Sequence, residues 1–301
     1  MQQKKEKRFI NIRTIPYLMV LPSISVIVIF MFYPIFKTFY NSFHHYILTR
    51  PKDYGFVGLD NYVKLFSDPL FYKSLNNTII WTFFNVFFQC ILGLWVALLM
   101  NTEFKGRKFY RMIVFSPWAF GGMLVALIFS YMFTGQTGVI NDLLMKSGLI
   151  HERISWFSTG SLARGTLIFT TTWRGIPFFA VSFLAALQSI PGDYYEAADV
   201  DGANKIYQFW RITLPLIKNT LILTTLLRTI WTFNIVDIIA GMTDGGPNNS
   251  TMTLPHYLMT KFNEGLDIGY SSTMAAVMAL ILAVFAGIYV AAGGFGKEGD
   301  L

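Results

Sequence analysis

Two parts of this 301-residue sequence hold residue types whose spacing could do chemistry or grip a partner. The first reads Pro191-Gly192-Asp193-Tyr194-Tyr195-Glu196-Ala197-Ala198-Asp199-Val200-Asp201-Gly202-Ala203-Asn204. One projecting carboxylate, Glu196, stands beside a small, flat face of Ala197, Ala198, Gly202 and Ala203. Such a face either lies on a membrane surface or seats in a cleft of a soluble partner. The second is a pair of arginines, Arg174 and Arg228, each near the middle of an apolar stretch, with Asp237 near the end of the second stretch. An arginine at mid-membrane costs about 2.5–3.5 kcal/mol on insertion scales, so both are expected to face protein or water. They are either structural donors or contacts for a passing solute. Other chemistry is thin. His44-His45 has no ligand types beside it, so no metal site is expected. Gly-Lys-Ser and Gly-Lys-Thr do not occur, so no phosphate loop and no ATPase site of the chain's own is expected. The lone Cys90 precludes an intrachain disulfide.

The elements that must position these residues are membrane helices. Hydrophobic residues make up 53% of the chain and charged residues 14%, against about 25% charged in a soluble domain. The mean hydropathy is +0.47, and 29 residues are Phe. Such a chain cannot bury its apolar surface in water, and disorder and fibrous repeats are excluded as well. The net charge of +7 fits Lys and Arg at the cytoplasmic face better than nucleic-acid binding. A span needs about 20 mostly apolar residues. Charge-free or nearly charge-free runs predict six, near 17–36, 78–100, 112–133, 165–189, 216–240 and 270–292. The first follows Lys4, Lys5, Lys7 and Arg8 but is followed by Phe39, Tyr40 and Phe43 with no small-residue cleavage site, so it reads as a retained helix. With the N-terminus inside, the inner segments carry Lys and Arg at more than twice the density of the outer ones. Both termini are therefore expected in the cytoplasm, with tails at 1–16 and 293–301 around a permease domain at 17–292.

Three loops exceed what a minimal bundle needs. The first outer loop, with Tyr54-Gly55-Phe56-Val57-Gly58-Leu59-Asp60-Asn61-Tyr62, reads equally as an ordered cap or a docking surface. The inner loop at 190–215 predicts a short helix with Asp193 and Glu196 early, where they favour its N-terminus, and Gly202 as its stop. A second amphipathic segment runs from Lys205 to Ile212, and Leu214-Pro215 opens the fifth span. In the second span, Asn85 and Gln89 lie one turn apart and suit hydrogen bonding between helices. Gly175-Ile176-Pro177 predicts a local kink in the fourth.

The inner loop resembles the EAA signature of binding-protein-dependent ABC importer permeases: Glu-Ala-Ala, three residues, Gly, nine residues, Ile-x-Leu-Pro. Here Glu196-Ala197-Ala198, Gly202, Ile212, Leu214 and Pro215 fill it without a gap. Asp201-Gly202-Ala203, Gln188-Ser189-Ile190-Pro191, Arg228-Thr229-Ile230-Trp231-Thr232-Phe233-Asn234 and Thr243-Asp244-Gly245-Gly246-Pro247 are similar to the carbohydrate-uptake branch, of maltose and glycerol-phosphate type. The likeness is strongest from Trp173 to Pro247.

The resemblance implies an all-α membrane protein of the type I ABC importer permease fold, multi-pass in a bacterial or archaeal cell membrane. It implies a second permease subunit, two cytoplasmic ATPase subunits that bind ATP and Mg, an extracytoplasmic solute-binding protein, and a di- or oligosaccharide as cargo. No cofactor of the chain's own and no nucleic acid are expected. Coupling to the ATPases falls on Glu196, Ala197, Ala198, Asp201, Gly202, Ala203, Leu214 and Pro215. The substrate pathway falls on Thr171, Arg174, Gly175 and Phe178 in the fourth span and on Arg228, Trp231, Thr232 and Ile235 in the fifth. Ile235 cannot hydrogen-bond to a sugar. The Thr243–Pro247 loop is turn chemistry first and, by resemblance, approaches the binding protein. The alternative is a transporter driven by an ion gradient, which needs deep carboxylates and an internal repeat. Asp237 is the only acidic residue in a predicted span, and no repeat is evident. A membrane enzyme finds no clustered nucleophile or acid–base group.

Overall fold

The computed structural model describes residues 15–293. Apart from Ile15, Pro16 and Gly293, the expected tails at 1–16 and 293–301 lie outside the described residues. The chain divides into two compact units, residues 15–67 with 261–277, and residues 68–260 with 278–293.

In the first unit, helix α1 (Pro16–Ser42) is long and apolar enough to cross a membrane, and its apolar window is exposed. It passes through a five-residue π turn, Val28–Phe32. Strands β1 (His44–His45) and β2 (Gly55–Phe56) pair antiparallel, and α2 (Asp60–Phe66) follows. The buried Asn61 amide donates to the Ser42 and His44 carbonyls at 3.1 and 3.0 Å. Thr273 Oγ1 donates to the same Ser42 carbonyl at 3.0 Å. The loop after α1 is thus ordered within this unit, with the His44 ring stacked between Tyr40 and Tyr54.

The second unit is built on α3 (Pro69–Asn101) and α7 (Gly160–Gln188). Between them in sequence come α4 (Arg107–Ala119), α5 (Gly122–Met132) and α6 (Val139–Lys146). After α7 come α8 (Asp193–Val200), α9 (Lys205–Gln208), α10 (Lys218–Phe233), α11 (Asp237–Met242), α12 (Leu254–Gly265) and α13 (Ile268–Gly293). The last two are divided between the units.

Helices α1, α3, α7 and α13 have the length and apolarity of spans. The stretch expected to be one span at 112–133 is instead α4 and α5, bent by 99° at Phe120-Gly121. Pro117 lacks the N–H an α-helix needs there, and Gly121 takes an extended conformation. The stretch expected at 216–240 is α10, of 16 residues, and then α11. It breaks because the Asn234 amide donates to the Ile230 carbonyl at 2.8 Å and competes with the helix ladder. Helix α7 runs continuously through Gly175-Ile176-Pro177, with Pro177 inside it.

The buried face of α3 changes character along its length. Its first part buries Ser74, Asn77, Thr78, Asn85 and Gln89. Its last part buries Gly93, Val96, Ala97 and Met100 against Phe179, Ala180, Phe183 and Leu187. At Gly93 a Cβ would overlap the Phe179 Cβ and stand 3.3 Å from the Ala180 nitrogen. Even alanine there must push the helices apart. Gly93→Ala is expected to cost about 1–3 kcal/mol, as overpacked sites do. Gly165→Ala, where a Cβ meets nothing within 4 Å, should be neutral or stabilising by about 0.4–1 kcal/mol. Thermal unfolding of both variants in one detergent checks the contrast.

Candidate functional site

The loop at 190–215 forms a closed hairpin. Helix α8 starts with Asp193 and Glu196 in its first turn, where a negative charge meets the positive end of the helix dipole. It stops at Gly202, whose φ of +76° is a left-handed value that glycine adopts without cost. Gly202 N–H donates to the Asp199 carbonyl at 3.1 Å and Ala203 N–H to the Ala198 carbonyl at 2.9 Å. Nothing lies within 4 Å of a Cβ built at Gly202, so the demand for glycine is conformational and not steric. Asn204 then opens α9, accepting from Tyr207 N–H at 2.8 Å. The chain continues through a π turn, Phe209–Thr213, and the short turn Leu214–Leu216 that holds Pro215.

Two side-chain ties fold the second segment back on α8. Tyr195 and Thr213 share a hydroxyl hydrogen bond at 2.9 Å. Asp199 accepts from Lys205 Nζ at 3.0 Å and from the Gln208 amide. Between the segments lies an open groove of about 580 Å³, lined by Tyr194, Ala197, Ala198, Asp201, Gly202, Ala203, Asn204, Tyr207 and Ile212. Of the expected coupling residues, Ala197, Ala198, Asp201, Gly202 and Ala203 come together here. Glu196 is exposed on the same helix outside the groove lining, and Leu214 and Pro215 lie in the turn beyond it. Sequence reasoning missed the aromatic walls, Tyr194 and Tyr207, although both flank the motif.

The span residues separate into two groups. Gly175, Phe178, Arg228 and Trp231 meet. A Cβ at Gly175 would overlap the Gln89 amide and the Arg228 guanidinium, so glycine makes room for both. The Arg228 guanidinium lies 5.9 Å from the Phe178 ring, which leans on Trp231 at 4.9 Å. Thr171 and Thr232 are fully buried, and among the described residues their hydroxyls have no hydrogen-bond partner. They act through backbone: the Thr171 carbonyl accepts from Gln89 and the Thr232 carbonyl from Trp81 Nε1 at 3.1 Å. Ile235 packs on the core around Trp81, Val125 and Ile238. Arg174 turns to Asp237, 4.0 Å from its Nη1. The Asp237 carboxylate sits where Gly122 would carry a Cβ, against the first turn of α5. Asn85 and Gln89 do bond between helices, to Thr172 and Thr171 of α7.

The loop after α11 is moored on the start of α3. Asn77 Nδ2 donates to the Asn249 and Met252 carbonyls at 3.0 and 2.9 Å. Lys73 Nζ donates to the Asn248 carbonyl at 2.7 Å, Leu254 N–H to Thr78 Oγ1 at 2.8 Å, and Tyr257 to Asp68. Within the loop, Thr251 Oγ1 donates to the Gly246 carbonyl at 2.7 Å, and Asp244 meets His256 Nε2 at 3.0 Å.

The family model described as binding-protein-dependent transport system inner membrane component matches residues 89–292. A sulfoquinovosyl glycerol transport system permease protein of Agrobacterium fabrum is 36% identical, over 92% of this chain and 90% of the relative. A trehalose/maltose transport system permease protein of Thermococcus litoralis is 34% identical over 94% of each. Among solved structures, a bacterial alginate ABC transporter in complex with an alginate pentasaccharide-bound periplasmic protein superposes with a TM-score of 0.80. That match covers 96% of this chain and 97% of the other, at 22% identity, and establishes likeness of fold.

The hairpin gives a pH prediction. The Lys205 ammonium, and after it the Gln208 amide, hold the Asp199 carboxyl below the usual carboxylate range. A carboxylate with a lowered pKa stabilises the fold fully above its unfolded value, about pH 4, and loses that contribution as pH falls through the lowered value. Backbone amide exchange at residues 203–208, corrected for intrinsic rates, should therefore speed up on acidification below about pH 4. Asp199→Asn should exchange faster at neutral pH and show little of that pH dependence.

Proposed function

This chain belongs to the family of binding-protein-dependent transport system inner membrane components, and on that premise we propose how it works as the permease subunit of an ABC importer for carbohydrate. Family membership assigns ATP hydrolysis to partner subunits and not to this chain. The observation that carries the mechanism is the groove on the inner hairpin. Ala197, Ala198, Asp201, Gly202 and Ala203 line it between Tyr194 and Tyr207, and two side-chain ties and the Gly202 turn hold its shape. A preshaped hairpin can transmit a push, whereas a loose loop would absorb it.

In this reading the hairpin docks on a cytoplasmic ATPase, with the exposed Glu196 meeting a basic group and the groove receiving a side chain of the partner. ATP binding draws two ATPases together, the hairpins follow, and the permease pair turns from inward-facing to outward-facing. A second, different permease subunit completes the pair, and an extracytoplasmic binding protein delivers the cargo near the moored loop at 243–253. The chain crosses the membrane six times with both termini inside: α1, α3, bent α4–α5, α7, broken α10–α11 and α13. The excess of Lys and Arg on the inner segments supports that orientation. The cargo is a di- or oligosaccharide. The aromatic pair Phe178 and Trp231 suits a sugar's C–H face, and Arg228 suits its polar rim.

Gentle extraction of the tagged chain should bring down an ATPase, a second permease and a binding protein, identified by mass spectrometry. In the assembled importer, Glu196→Lys and Gly202→Asp should leave insertion intact and lower uptake per ATP by roughly 5–150-fold, the range of ordinary coupling energies. Uptake at the wild-type rate by both variants would refute the coupling assignment.

A further inference from the structure

Gln89 stands outside the residues that the family likeness assigns to the substrate pathway, yet three helices meet on it. Its side chain is fully buried in α3. Its Oε1 accepts from Arg228 Nε of α10 at 2.6 Å, and its Nε2 donates to the Thr171 carbonyl of α7 at 3.0 Å. Glycine at position 175 leaves the space in which these groups touch. The effect falls on one arginine. A guanidinium carries five donors in a rigid plane. Anchoring Nε to an amide that is itself anchored fixes that plane. The Phe178 ring lies beside it, its centroid 5.9 Å from the guanidinium carbon. Among the described residues, neither terminal nitrogen of Arg228 has a hydrogen-bond acceptor, although the side chain is only 8% exposed.

We infer that Gln89 is a positioning residue for cargo recognition. It holds the Arg228 guanidinium so that its terminal N–H groups meet the hydroxyl rim of the sugar, while Phe178 and Trp231 cover the C–H face. This rests on the reading of the α7 and α10 faces as the cargo pathway. An amide suits the task because it accepts from Arg228 and donates to α7 at once. An aliphatic side chain leaves Nε without a partner and the guanidinium free to turn.

The test uses the whole importer, with its binding protein, in proteoliposomes. Maltose, trehalose, lactose and sulfoquinovosyl glycerol are offered in turn, and the one transported is used. Gln89→Leu should lower sugar carried per ATP about tenfold, the worth of one charge-assisted hydrogen bond, with the ATPase rate stimulated by the binding protein within about twofold of wild type. Gln89→Glu keeps the acceptor for Nε but loses the donor to the Thr171 carbonyl, and should lose less than Gln89→Leu, about threefold. Arg228→Lys should lose about as much as Gln89→Leu, and the double variant no more than either alone, because both act on one donor group. Unchanged sugar per ATP in Gln89→Leu overturns the inference. So do additive losses, and so does a parallel fall of uptake and ATPase, which marks an amide that only holds the bundle together. Sugar entry that needs neither ATP nor the binding protein overturns the importer reading itself and takes the inference with it.

Discussion

At Gly93 the backbones of α3 and α7 come so close that no side chain fits between them. Much of the larger unit depends on that contact. Among lipid tails there is no hydrophobic drive for two apolar helices to associate, and what remains is close packing and hydrogen bonding. The two helices divide these roles along their length. Beyond Gly93, Ala97 and Ala180 let Phe179 and Phe183 interlock with Val96 and Met100. Before it, amides and hydroxyls face each other, and Gln89 reaches across to α10. The apolar end sets the distance between the helices. The polar end sets their rotation and register, because a hydrogen bond tolerates less displacement than a methyl contact.

The hairpin at 190–215 follows the same logic at smaller scale. A left-handed glycine ends α8, an asparagine cap starts α9, and Asp199 joins the two. None of these interactions is strong, and the ion pair is exposed to solvent. Their value is geometric. They hold a concave face of small residues between two tyrosines, Tyr194 and Tyr207, at the end of a chain segment that leads straight into α10.

Much of this was legible in the sequence where local chemistry decides the conformation. The short helix after Gly192, its acidic first turn and its stop at Gly202 follow from residue preferences within one or two turns. The pairing of Asn85 and Gln89 with a neighbouring helix followed from the cost of a bare amide in an apolar setting. The bend within 112–133 and the break within 216–240 were not legible, because hydropathy reports composition and is blind to direction. The clues were Pro117 with Gly121, and Asn234, each of which competes with the helix ladder over only a few residues. Spacing also set Thr171 and Thr232 on the faces of the two arginines. Periodicity says which residues share a face but not which neighbour that face meets. Both hydroxyls are enclosed by the chain itself. The partners of Arg174 and Arg228, Asp237 and Gln89, lie in other elements and no local pattern could match them.

The mooring of the 243–253 loop on the start of α3 sets a clock for biosynthesis. Asn77 finds its Met252 carbonyl 175 residues later in the chain, and Thr78 meets Leu254 after 176. At about 5–20 residues per second, a ribosome needs roughly 10–35 s to supply those partners. Throughout that interval the first turns of α3 carry bare amide, hydroxyl and ammonium groups that water or a passing protein must satisfy. The start of α3 is therefore among the last parts of the larger unit to reach its final bonding. A nascent chain stalled before Asn248 holds none of the carbonyls that Lys73 and Asn77 will bond to.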